Sequence, residues 1–109
     1  MTETVESPAP EVRNQSPKPA QPVPWNVVLL DDQHHTYAYV IEMLQRLFHQ
    51  SEEAAFSVAK KVDSNGRAVC FTTHKELAEL KRDQIHGFGK DARISACRGS
   101  MTAIIEPAA

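Results

Sequence analysis

NVVLLDDQHHTYAYVIEMLQRLF, from Asn26 to Phe48, changes its periodicity twice. Val27, Val28, Leu29 and Leu30 form an apolar run without alternation, the mark of a strand buried on both faces. The run stops at Asp31 and Asp32, and a polar link follows, Gln33-His34-His35-Thr36. Beyond it Tyr37, Val40, Ile41, Leu44, Leu47 and Phe48 recur at three- and four-residue steps, which places them on one face of a helix. Thr36, or His35 before it, can serve the helix entry, Thr36 being the better N-cap by type. A buried strand, an acidic loop and an amphipathic helix therefore follow one another. A loop in that position is where small α/β-type domains tend to carry their sites.

Downstream, Ser51 can cap a second helix whose first turn holds Glu52 and Glu53 and whose buried stripe is Ala55, Val58, Ala59 and Val62. Asp63-Ser64-Asn65-Gly66 is expected to break it, Gly66 being best able to take a positive φ. Ala68 to Phe71 is a short apolar run of strand length. Thr73-His74-Lys75-Glu76 has capping-box spacing and announces a third helix, with Leu77, Leu80, Ile85 and Phe88 on one face and Gly87 and Gly89 at its end. Residues 90–100 are polar and ambiguous, and Met101 to Ile105 is a last apolar run that predicts a strand. The order is β-α-α-β-α-β, an α/β (α+β) fold in which three helices must cover one face of a three-stranded sheet to bury their stripes.

Upstream, residues 1–24 hold six of the seven prolines and almost nothing large and apolar. Such a segment cannot bury enough surface to offset its ordering entropy, so disorder is expected there, either as an inert tail or as a tether. Of 109 residues about 85 remain, residues 25–109, enough for one small domain. Twelve Lys plus Arg against 14 Asp plus Glu give no basic surplus, which argues against nucleic acid as the partner. No apolar run near the N-terminus suits a signal or membrane segment, and Cys70 and Cys97 lack metal or redox spacing, so a reducing cytoplasm is expected. Cys70, inside an apolar run, reads as a packed core residue.

Asp31, Asp32, His34 and His35 could be taken as an acid–base or metal cluster. Yet they lack the helical His-x-x-x-His pairing and any distal Cys/His set, and there is no phosphate loop or activated serine. No enzyme, metal or cofactor is expected. Carboxylates at a strand end beside Tyr37 and Val40 suit a cation carried on an apolar group, as in the free N-terminus of a peptide. Equally, Asp31 and Asp32 could simply cap the following turn.

The run from Val27 to Phe48, together with VDSNGRAVCFTTHKELAELK (Val62–Lys81), resembles the ClpS family of adaptors that deliver N-degron substrates to the Clp AAA+ protease. The resemblance implies three antiparallel strands with three helices, and an N-terminal extension needed for handing substrate over. The family loop Asn-Asp-Asp-x-Thr-Pro-Met falls on Asp31 to Tyr37. By this match Asp32 holds the substrate's α-amino group, Asp31 stands where an asparagine orients it, and Asp63 stands where the family has a histidine. Val40 and Val62 are pocket-wall positions, Tyr37 and Ala59 replace two methionines at the pocket mouth, and Met101 takes the place of a wall leucine. Glu76 and Lys81 match positions that dock on the N-terminal domain of the unfoldase. The implied partners are a ClpA- or ClpC-type unfoldase and N-degron substrates, bound by a monomer without nucleic acid or membrane. A docking module that does not read N-degrons, or a small metal-binding protein, are the alternatives.

Overall fold

The computed structural model describes residues 23–32, 35–91, 93 and 99–108. The expected extension therefore lies almost wholly outside the described residues, as do His34 and Cys97. The elements are β1 (Trp25–Leu30), α1 (Tyr37–Phe48), α2 (Glu52–Asn65), β2 (Arg67–Thr73), α3 (Lys75–His86) and β3 (Ala103–Pro107). The three strands fall on the apolar runs, and the sheet is antiparallel, as the resemblance implied, with order β2-β1-β3.

β1 sits in the centre, and Val27, Val28 and Leu29 are all 0% exposed, which is why its sequence does not alternate. Val27 and Leu29 face the helices and join the core with Met43, Leu44, Ala55 and Ile85. Val28 faces the other way, between its ladder partners Val69 and Ile104. Arg67 of β2 and Glu106 of β3 meet over β1 at 2.6 Å, a bridge that spans the open face of the sheet. A register shift opposite Val27 and Val28 turns both Cys70 and Phe71 inward; the Phe71 ring packs on Phe48 at 4.9 Å. Cys70 is buried, and burial pushes its thiol up to about 12, so it is a packing residue as expected.

Each helix is bounded by local chemistry. Thr36 caps α1 by accepting the Tyr39 N–H, and His49 ends it in the left-handed region at φ 56°. Ser51 caps α2 through the Ala54 N–H. Here two expectations are corrected. Asp63, Ser64 and Asn65 do not break α2 but form its last turn; only Gly66, at φ 82°, stops it. The N-cap of α3 is His74, whose Nδ1 accepts from Leu77, because Thr73 is still paired with Trp25 in the sheet and is not available to cap. The side of α3 that packs is also rotated from the expected stripe. Ala78 and Ile85 are buried while Leu80 is 50% exposed, since the small Ala78 lets the helix lie close to the sheet. On α1, likewise, Tyr39 and Met43 are buried and Tyr37 is left at the surface.

Candidate functional site

The acidic loop leaves β1 beside the end of α2. The Asp31 N–H donates to the Gly66 carbonyl at 3.0 Å, which brings Asp31 alongside the last turn of that helix, where Asp63 stands. Tyr37, opening α1, completes the group: its hydroxyl donates to Asp63 Oδ2 at 2.8 Å. The Tyr37 hydroxyl is pushed above its ordinary value, first by that hydrogen bond, then by desolvation and by the charges of Asp63 and Asp31. Three of the residues singled out in the sequence thus come together.

Asp32 is engaged by His35. Its Oδ1 lies 2.8 Å from Nδ1 of His35, and Nε2 of His35 lies 2.8 Å from the Gly99 carbonyl oxygen. A carbonyl can only accept, so Nε2 carries a hydrogen and Nδ1 is the nitrogen turned to the carboxylate. The His35 side chain is 3% exposed and its ring packs on Tyr39 at 4.5 Å. With both ring nitrogens engaged, His35 is not placed to ligate a metal. Among the described residues no three His, Cys, Asp or Glu side chains are arranged to hold one.

The wall residues Val40, Ala59, Val62 and Met101 are brought together in one buried cluster, each 2–4% exposed. Phe56, unmarked in the sequence reading, stands edge-on to Tyr37 at 5.7 Å. Phe56, Ala59 and Asp63 follow one another along α2, so Tyr37, touching Phe56 and bonded to Asp63, lies across the Ala59 turn. The small side chain at 59 is covered rather than open. On α3, Glu76 is exposed, whereas Lys81 turns inward: Nζ donates to the Leu47 carbonyl at 2.6 Å and sits 5.4 Å from the Phe48 ring centre.

Sequence reasoning missed Asp91 altogether. It is the one buried charged residue among those described, at 0% exposure. Oδ2 receives both the N–H and the hydroxyl of Thr36 at 2.8 Å, and Oδ1 receives the Arg93 N–H at 3.0 Å and Nη1 at 3.2 Å. Burial alone would raise this carboxyl; the donors from Thr36 and Arg93 outweigh it and hold it at about 2. The Asp91–Arg93 spacing was visible, but the partner 55 positions away was not.

A three-stranded antiparallel sheet with three helices on one side, carrying a carboxylate loop beside an apolar cluster, defines a small α+β binding module; no described helix is long and apolar enough to span a bilayer. The family model of the ATP-dependent Clp protease adaptor protein ClpS matches residues 20–94. The chain belongs to the ClpS family. It is 35% identical over 68 residues to the ClpS adapter of Nautilia profundicola, covering 62% of this chain and 70% of that one. It is 39% identical over 70 residues to that of Vibrio atlanticus, covering 64% and 66%. Among solved structures it resembles Agrobacterium tumefaciens ClpS2 bound to L-phenylalaninamide, with TM-score 0.69, 25% identity, and coverage of 80% of this chain and 99% of that one.

Proposed function

We propose that this adaptor binds polypeptides by a free N-terminus bearing a large apolar side chain and passes them to a Clp AAA+ unfoldase. The observation that supports this best is the grouping of Asp31 and Asp63 around Tyr37, next to the Val40–Ala59–Val62–Met101 cluster. A relative of the same fold holds L-phenylalaninamide, whose α-ammonium and benzyl group are those of an N-terminal phenylalanine. Carboxylates orient the ammonium through charge-assisted bonds, with Asp32 as its principal holder, and the apolar residues take the side chain. The partner is a ClpA- or ClpC-type N-terminal domain that Glu76 helps engage, and the adaptor acts as a cytoplasmic monomer.

Titrating a Phe-initiated peptide against its N-acetylated copy tests this reading. Binding is expected only for the free amine, and equal affinity for both would sink the proposal. Asp32→Ala should cost about 2 kcal/mol of binding by removing a partly buried charge-assisted bond.

One observation favours a second reading, a docking module that ignores N-termini: the wall residues are covered, and Tyr37 already bonds to Asp63. Tyr37→Phe separates the two. If the site reads N-termini, freeing Asp63 for the ammonium strengthens peptide binding by about three- to tenfold; if it only docks, peptide titrations stay flat for both proteins.

A further inference from the structure

We infer that Asp91 is a positioning residue for the acidic loop, acting through Thr36, and that the Gly99 carbonyl serves Asp32 in the same way through His35. The inference rests on the peptide-binding reading and deepens it, since it concerns how that loop is held for its ligand. The described part of the chain between Leu30 and Tyr37 has no regular structure, so contacts from other parts of the fold matter for how its side chains are held.

Among the described residues, two such contacts come from the connection between α3 and β3. Asp91 Oδ2 grips the N–H and the hydroxyl of Thr36 together. Because the hydroxyl donates to Asp91, its lone pair is turned to the Tyr39 N–H, and the cap of α1 is locked. The Gly99 carbonyl fixes the His35 ring, whose other nitrogen faces Asp32. The connection is itself tied to α1: Tyr39 donates to the Gly89 carbonyl, Arg93 reaches Glu42 at 3.5 Å, and Glu42 holds Arg46 at 2.9 Å.

The position of Thr36 gives the clamp its meaning. In the family loop pattern a proline stands there, and a proline restrains φ through its ring but has no N–H to donate. Thr36, at φ −84°, takes a conformation close to that of proline without the ring. A tertiary hydrogen bond that only a non-proline residue can make supplies the restraint.

Asp91→Asn and Thr36→Pro, made singly and together, test this in two measurements: amide hydrogen exchange, which needs no ligand, and affinity for the Phe-initiated peptide. Asp91→Asn is expected to speed exchange at Asp32, His35 and Thr36 about tenfold while Val27 to Leu29 stay unchanged, and to weaken the peptide about tenfold. In the Thr36→Pro background it should change peptide affinity, and exchange at Asp32 and His35, less than about twofold, because its partner is gone and the ring holds the loop. The same effect in both backgrounds, or none in either, overturns the inference. If Asp91→Asn does not fold, Thr36→Ser, which keeps both donors, should behave as wild type and Thr36→Ala should not; equal behaviour of the two overturns it. If wild type does not distinguish the free from the acetylated peptide, the peptide reading falls, and the exchange comparison alone judges the clamp.

Discussion

Asp91 is a buried charge that contributes to stability only while it is ionised. Its folded-state pKa lies below the ordinary value of 3.8, at about 2, so the folded state holds the proton less tightly than the unfolded chain does. The sign follows: its contribution is fully present above about pH 4 and is lost as the pH falls toward 2. Urea denaturation of wild type and Asp91→Asn from pH 7 to pH 2 should show the variant less stable at neutral pH by about 1–3 kcal/mol, with the gap closing below pH 4. A gap independent of pH would mean that the ionised form is not what stabilises the fold. Tyr37 belongs to the same scale. Its hydroxyl donates to Asp63, so in the proposed peptide-binding reading an incoming ammonium would have to replace a hydrogen bond already formed.

Among the elements, α3 separates two roles that look alike in sequence. Lys81 ties α3 to the C-terminal end of α1 through the Leu47 carbonyl, where a cation also meets the negative end of the helix. Glu76, in the first turn of α3, is exposed. Lys81→Ala should therefore lower folding stability by about 1 kcal/mol, seen as a reduced denaturation midpoint. Glu76→Ala should leave the midpoint nearly unchanged and weaken binding to an unfoldase N-terminal domain. If Lys81→Ala left stability untouched, its contact with Leu47 would be idle and its part would lie wholly in docking. α2 also matters as an element. By continuing one turn past Val62 to Asn65, it presents Asp63 from a rigid helix, so this carboxylate is positioned more firmly than one on a loop would be.

For the whole molecule, the two ends of the folded unit lie together, the Ala108 N–H donating to the Pro24 carbonyl at 2.8 Å, at the end of the sheet opposite the acidic loop. The proline-rich residues before Val23 are thus attached at a distance from the proposed peptide site, as a tether would be. Removing residues 1–20 is expected to leave the melting transition and peptide affinity unchanged and to slow degradation of a model N-degron substrate by the protease. Degradation at the normal rate by the shortened protein would refute the tether.

Much of this organisation was legible in the linear chain, because it depends on neighbours in sequence. Strand burial, the Thr36 and Ser51 caps, the Gly66 stop and the order β-α-α-β-α-β follow from periodicity and capping chemistry acting over a few residues. The acidic loop and Tyr37 were also marked, from the strand-end carboxylates and the helix beside them, and Asp63 through the family resemblance. What the sequence could not settle depends on contacts between distant residues. The α3 cap moved from Thr73 to His74 because β2 pairing claimed Thr73, a competition decided by Trp25 on another strand. That Ala59 is buried, with Tyr37 of another helix reaching Phe56 and Asp63 on either side of it in α2, was likewise decided by tertiary contacts. For Asp91 the only local signal is Arg93 two residues on, which does not announce burial. Its burial is offset by donors from Arg93 nearby and by two from Thr36, 55 residues away, and that second meeting exists only once the chain has folded.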